Sequence, residues 1–252
     1  MEIKKKIKEF YNNQAKNFSI TRKKIWPEFK YIEKEIKKHL ETKEKINILE
    51  LWCGDWRLYR YLNKIFPNQI NYIWVDLSDN LISIAKQETE NGTFIVDDML
   101  NFVKNYEIPE NFDFVIAVAS FQHIPNKQER LEILKNVYRL LKYNWELIMF
   151  NWSFSKWFIK KYFLQILKSI IKNILSLWTK NLNDILVPWK DKNKVYYRYY
   201  HIFFLWELIN LFKQAWFVIK ESWYINKKWL KDKSWLNSRN SYIIWEKKVL
   251  ED

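Results

Sequence analysis

Five short apolar runs recur at intervals through the middle of the chain, each followed by a stretch whose apolar residues return at helical spacing. The runs are INILEL (46–51), YIWVD (72–76), TFIVDD (93–98), FDFVIAVAS (112–120) and ELIMF (146–150). Between them the spacing predicts helices over Arg57–Phe66, Asp79–Glu90 and Lys127–Lys142, with a connection through Pro109. Near-continuous apolar strands alternating with helices belong in a mostly parallel sheet covered on both faces. Ahead of them, residues 1–45 read as two charged amphipathic helices, Ile3–Lys16 and Trp26–Leu40, the second opened by Pro27 as its first helical residue. Behind them, residues 155–178 place apolar positions at helical spacing with lysines on the other face. A loop through Pro188, a helix over Trp206–Gln214, the strand FVIKESWYI (217–225) and the strand SYIIWEKK (241–248) complete the chain. The two late strands bring the expected sheet to seven and form a terminal hairpin. No internal repeat or low-complexity linker divides the 252 residues. One domain is therefore expected, with an N-terminal helical cap (1–45), a core (46–150), a helical insert with a substrate-facing loop (151–205) and a C-terminal helix and hairpin (206–252).

Composition adds constraints. One cysteine excludes an internal disulfide and suits a reducing compartment, and one cysteine with three dispersed histidines cannot make a structural zinc site, so no metal is expected. No apolar run reaches the roughly 18 residues of a spanning helix, and the charged start MEIKKKIKEF has no signal-peptide core. These features predict a soluble cytoplasmic protein without stable membrane insertion. A formal net charge of +14 points to an anionic partner, nucleic acid first and an acidic membrane surface second. The plainer source is A/T-rich codon bias, which also enriches Lys, Ile and Asn.

Glycine is the anomaly. Ordinary usage of about 7% would give roughly 18 glycines. The chain has 2, and it has 15 tryptophans, 17 in all. Several tryptophans fall where the backbone is expected to want glycine. Trp52 and Trp56 sit in a strand-to-helix turn. Trp74 is in a short strand beside the expected ligand edge, and Trp145 and Trp216 follow helix patterns at C′ positions. Trp26, Trp152 and Trp189 look ordinary. The division suggests UGA codons read as glycine in the source organism and written here as tryptophan; UGG at 52 and 56 would refute that.

The turn itself, E-L-W-C-G-D-W over residues 50–56, becomes E-L-G-C-G-D-G on that reading and would bring backbone N–H groups to a ligand. Asp76 ends the second strand, where a carboxylate can accept two ribose hydroxyls. Asp98 ends the third, suited to an exocyclic adenine amine. With the stretch NVYRLLKYNWELIMF afterwards, residues 46–150 resemble the class I S-adenosylmethionine-dependent methyltransferases, whose sheet is Rossmann-like. The resemblance implies S-adenosyl-L-methionine as cofactor, its methionine part held by Glu50, Trp52, Gly54 and Trp56, its ribose by Asp76 and its adenine by Asp98. Real indoles at 52 and 56 would fill that cleft.

The flanks carry a narrower resemblance. FYNNQAKNFSITRKKIWPEF, IAVASFQHIP, FNWSFS, DILVPWK and YRYYHIFFLWEL together resemble the eukaryotic tRNA wobble-uridine carboxymethyl methyltransferases, including the domain fused to an AlkB-type oxygenase. In that family position 206 is glycine. The resemblance covers about residues 10–248, most weakly in 155–178. It implies methyl transfer to the carboxylate of 5-carboxymethyluridine in the tRNA anticodon, and a small zinc-binding activator as a partner. A carboxylate is ionised at neutral pH and needs no strong base. It needs a cation to orient it, for which Arg22 and Arg198 are the candidates, with His123 able to hydrogen-bond base or carboxylate. Tyr199, Tyr200 and His201 would stack on an extruded nucleotide. Two alternatives stand beside this one. The first is a small-molecule or lipid/quinone methyltransferase whose 155–178 helix, through Lys160, Lys161, Lys168 and Lys172, lies on an anionic membrane. The second is a catalytically dead RNA-binding relative with Trp52 and Trp56 plugging the cleft.

Overall fold

A computed structural model describes residues 2–22, 24–89, 92–108, 111–175, 181–191 and 194–248. The connection at Pro109, the final residue of the helix expected to end at Glu90 and the end of the 155–178 stretch lie outside the described residues. The central sheet runs β3 (Thr93–Val96), β2 (Ile70–Asp76), β1 (Ile46–Leu51), β4 (Phe112–Val118), β5 (Leu141–Trp152), then β10 (Ser238–Glu246), β8 (Val218–Asn226) and β9 (Lys231–Asp232). The first five are mutually parallel, and β10 is antiparallel to both β5 and β8. The sheet is α/β, Rossmann-like and mostly parallel, as expected. It has eight strands rather than seven, because the two-residue β9 pairs on the edge of β8.

The period-2 alternation of strand side chains divides the core cleanly. Leu49, Val115, Leu147 and Ile243 pack on one face with residues of α5 (Met99–Asn105), α6 (Lys127–Leu140) and α8 (Leu205–Lys213). Ile48, Phe114, Ile116, Ile148 and Ile244 pack on the other with α2 (Phe29–Leu40), α3 (Arg57–Ile65) and α4 (Asp79–Glu88). Because both faces are covered, the strands read as apolar runs. The helix α2 starts two residues after Pro27, not at Trp26, since Trp26–Phe29 forms a separate turn closed by Phe29 N–H donating to the Trp26 carbonyl.

Three elements differ more from expectation. The first helix, α1 (Glu2–Thr21), continues five residues past Lys16 and lies against α4 and β7 (Lys194–His201). Residues 184–191 form a strand, β6, rather than a loop; Pro188 is tolerated because β6 pairs on one side only, with β7. The helix α7 (Lys156–Leu175) buries Phe158 and Tyr162 against this hairpin, yet leaves Leu164, Leu167, Ile171 and Ile174 exposed alongside its lysines. No helix among the described residues is long and apolar enough to cross a membrane.

The backbone also bears on the tryptophans. Among the described residues, seven non-glycine residues have positive φ, and four of them are Trp52 (56°), Trp56 (57°), Trp216 (67°) and Trp229 (64°). The helix α6 ends at Leu140, so Trp145 is not its C′ residue; the left-handed residue nearby is Asn144 (65°), inside β5, and its N–H donates to the Lys247 carbonyl. Trp74 is not left-handed; its ring is wholly buried and stacked on Phe94 at 4.3 Å. Trp206 sits in the first turn of α8, exposed.

Candidate active site

Strand order reverses between β1 and β4, and open α/β sheets bind ligands in the crevice beyond the strand ends at such a point. A cavity lies there beneath α1, walled by Trp52, Gly54, Asp76, His123, Arg198 and Tyr200. Asp76 accepts hydrogen bonds from the backbone N–H groups of Gly54 and Ser78, both at 2.8 Å, which ties the β1 turn to the end of β2. Burial pushes its carboxyl up to about 6 despite these donors. Asp98 caps α5 by accepting from Leu100 N–H and takes an ion pair from Lys4 of α1 at 2.8 Å through Oδ1. Its Oδ2 is buried with no hydrogen-bond partner, two residues past the end of β3 and outside the cavity wall. Glu50 does not line the cavity: it points into the opposite core, accepts from Tyr72 O–H at 2.8 Å, and burial pushes its carboxyl up to about 8. Trp56 begins α3 without a side-chain cap and packs into the same core, with Arg60 above its ring.

On the far side, Tyr11, His123, Arg198 and Tyr200 converge. His123 is buried, and burial with the nearby Arg198 charge pushes its imidazole down to about 3, so the ring is neutral. Its Nδ1 lies 2.9 Å from the Tyr199 carbonyl and must carry the proton; Nε2 then accepts from Tyr11 O–H at 3.1 Å. Arg198 donates to the Tyr11 oxygen at 3.4 Å and its buried Nε has no partner. Its guanidinium sits over the rings of Trp189 (4.9 Å), Tyr200 (5.1 Å) and Phe10 (5.2 Å). Arg22 lies over the same Trp189 ring at 5.4 Å. Strand alternation puts 198 and 200 on the cavity face of β7 and turns Tyr199 and His201 away. Those two hold the hairpin instead: Tyr199 O–H donates to Asp184 at 2.7 Å, and His201 is clamped between Asp184 (2.6 Å) and Glu207 (2.7 Å).

The match to known proteins decides what such a crevice belongs to. The methyltransferase domain family matches residues 48–144. The chain contains a methyltransferase domain. It is similar to the tRNA (carboxymethyluridine(34)-5-O)-methyltransferase of Schizosaccharomyces pombe, 24% identical over 88% of this chain and 93% of the relative. It is also similar to the enzyme of the same name from Saccharomyces cerevisiae, 29% identical over 60% of this chain, where it spans about half of the relative's length (49%). A Bacillus cereus malonyl-[acyl-carrier protein] O-methyltransferase is 31% identical over 42% of the chain and 37% of that protein. The fold is that of a Methanosarcina mazei S-adenosylmethionine-dependent methyltransferase, TM-score 0.65, 20% identical, covering 85% of this chain and 98% of that one. It is also that of a Burkholderia thailandensis methyltransferase solved with S-adenosylhomocysteine, TM-score 0.60, 12% identical, covering 97% and 88%.

The cofactor of the methyltransferase is therefore S-adenosylmethionine, and its own residues meet that molecule only half-way. Asp76, on the cavity wall at the end of β2, suits the ribose, whereas Asp98, expected at the adenine, does not line the cavity and is tied instead to Lys4 and the start of α5. The room does not suit the cofactor. The cavity holds about 80 Å³ of free space, well under the ~300 Å³ at the small end of ligand pockets. Trp52 is one of the side chains that narrow it: its ring reaches from the β1 turn to 5.9 Å from the His123 ring, and its Nε1 is buried without a partner. Sequence reading missed three residues of the site. Tyr11 lies inside the FYNNQ segment with no local signal of its role. Trp189, ordinary in the sequence, lies behind the cavity wall with Arg22 and Arg198 over its ring. Arg57, whose Nε and Nη1 are buried without hydrogen-bond partners, lines the cavity with Trp26 stacked on it at 4.4 Å.

Proposed function

We propose that the methyltransferase esterifies a carboxylate carried by tRNA, the 5-carboxymethyl group of the wobble uridine. One observation carries this reading. Arg198 is buried on the cavity wall with an unpartnered Nε, and it shares the Trp189 ring with Arg22, so two guanidiniums line one cavity and suit an anionic group. A substrate carboxylate supplies that anion and can be gripped bidentately. The chemistry asks little else of the protein. The carboxylate is already ionised at neutral pH, so no base is required. That agrees with a neutral His123 whose two nitrogens are both committed. S-adenosylmethionine supplies the methyl group when bound. The chain's own part is to orient the carboxylate through Arg198 and Arg22, with the Tyr11 hydroxyl tying Arg198 to His123, and to exclude water with the cavity's aromatic side chains Phe18, Trp26 and Tyr200.

The substrate reading is supported by the two yeast relatives and by the net charge of +14, which favours a polyanion. The Bacillus relative's name also denotes O-methyl transfer, on an acyl carrier protein, so that substrate is the competitor to test. The protein, with residues 52 and 56 both as written and as glycine, is incubated with labelled cofactor and either tRNA bearing the carboxymethyl group, the same tRNA without it, or malonyl carrier protein. Label that enters only the first and is released by mild alkali is the expected result. Label on the unmodified tRNA or only on the carrier protein refutes the reading.

A further inference from the structure

We propose that residues 52, 56, 216 and 229 are glycine in the protein its own cells make, encoded by UGA read there as glycine, and that the cofactor cleft exists only in that form. The inference stands whichever carboxylate is the substrate. It starts from the backbone. A left-handed φ is uncommon for any residue with a Cβ, is shared chiefly with asparagine, and is a genuine outlier for a bulky side chain. Of the seven such residues, Asn68 and Asn144 are the ordinary kind; four of the remaining five are tryptophan.

Each of the four stands at a place with a glycine task. At 216 the chain leaves α8 through a Schellman turn: Phe217 N–H donates to the Phe212 carbonyl and Trp216 N–H to that of Lys213, which makes residue 216 the left-handed C′ position. The Trp216 side chain is 54% exposed, so no core contact compels it to be there. At 229 the β8–β9 hairpin closes with Trp229 N–H donating to the Asn226 carbonyl and Asn226 N–H donating to that of Leu230, a turn whose last residue is left-handed. The turn holding 52 and 56 lies at the strand end where backbone must approach a ligand, with Gly54 (62°) left-handed between them. Here the indole has a second effect, because Trp52 projects into the crevice that Asp76 and His123 border.

The same criterion spares other tryptophans. Trp74, Trp145 and Trp206 are not left-handed, and Trp189 is held between two guanidiniums, so the backbone gives no reason to replace them. The proposal therefore separates two sets within one sequence.

Two measurements test it. Peptide mass mapping of the protein isolated from its own cells is expected to find glycine at all four positions and tryptophan at 189. Calorimetry with S-adenosylhomocysteine is expected to show binding to recombinant Trp52→Gly/Trp56→Gly and none to the chain as written. The distal pair Trp216→Gly/Trp229→Gly is expected to raise the melting temperature without restoring binding, which covers the case in which the site variant fails to fold. Tryptophan in the native peptides at 52 and 56 overturns the proposal, as does equal binding by the written chain.

Discussion

Glu50 offers a sharp test of how burial sets charge in this molecule. Its carboxyl is 3% exposed, hydrogen-bonded to Tyr72, and pushed by burial from an ordinary value of 4.5 up to about 8. The folded protein therefore keeps a proton between pH 4.5 and 8 that the unfolded chain has given up. Stability must fall as pH rises through that window. The full loss is the shift multiplied by about 1.36 kcal/mol per unit, about 5 kcal/mol, complete by pH 9. Glu50→Gln removes the titration and keeps an oxygen to accept from Tyr72. The variant is expected to match the parent within about 1 kcal/mol at pH 5 and to exceed it by as much as about 5 kcal/mol at pH 9. Urea unfolding at pH 5, 7 and 9 measures the difference directly. An unchanged gap between pH 5 and pH 9, or a variant weaker than the parent at pH 9, would refute the argument. His123 acts in the opposite sense, since its folded value of about 3 lies below the ordinary 6.5 and its contribution is lost as pH falls through that interval. The variant's own profile should therefore rise more steeply with pH in that range than the parent's.

Three other outcomes are expected, with activity read in the form carrying glycine at 52 and 56. Tyr11→Phe should lower kcat/KM for the carboxylate substrate by about 10–100-fold, the worth of one charge-assisted hydrogen bond, with S-adenosylhomocysteine affinity unchanged by calorimetry. Arg198→Lys keeps the charge but loses the planar fork and its stacking, and should cost about tenfold or more in kcat/KM. His201→Ala leaves Asp184 and Glu207 facing one another and should lower stability by about 2 kcal/mol, seen as a melting temperature roughly 4–8 °C lower.

The parallel strands were legible because each is buried on both faces and reads as an uninterrupted apolar run. The hairpin of β6 and β7 was not, because Pro188 signals a loop unless the strand is known to be an edge. Once YYRYYH is recognised as a strand, alternation alone divides Arg198 and Tyr200 from Tyr199 and His201. The extension of α1 to Thr21 depends on Phe18, whose ring packs beside Gly54 and Trp189, a tertiary contact with no local signal. The glycine-demanding turns were partly legible: 52, 56 and 216 follow recognisable strand or helix endings. Trp145 misled because α6 stops at Leu140 and β5 has already begun, and Trp229 was invisible because its turn has meaning only when β9 is seen to pair with β8.

One helix fastens both halves of the site. Toward the cofactor edge, α1 engages Asp98 through Lys4, Asp79 through Lys8, and the Ser78 hydroxyl, which donates to Asn12. Toward the substrate edge, the same helix presents Tyr11 to His123 and Phe10 to Trp189. Because one helix carries both sets of contacts, any shift of α1 at Lys4 and Asn12 moves the Tyr11 hydroxyl as well. Occupancies of the two edges are thus linked in free energy, each changing the other's affinity by the same factor. A titration of either ligand at fixed concentrations of the other reads that linkage as a single number, and Lys4→Ala should diminish it.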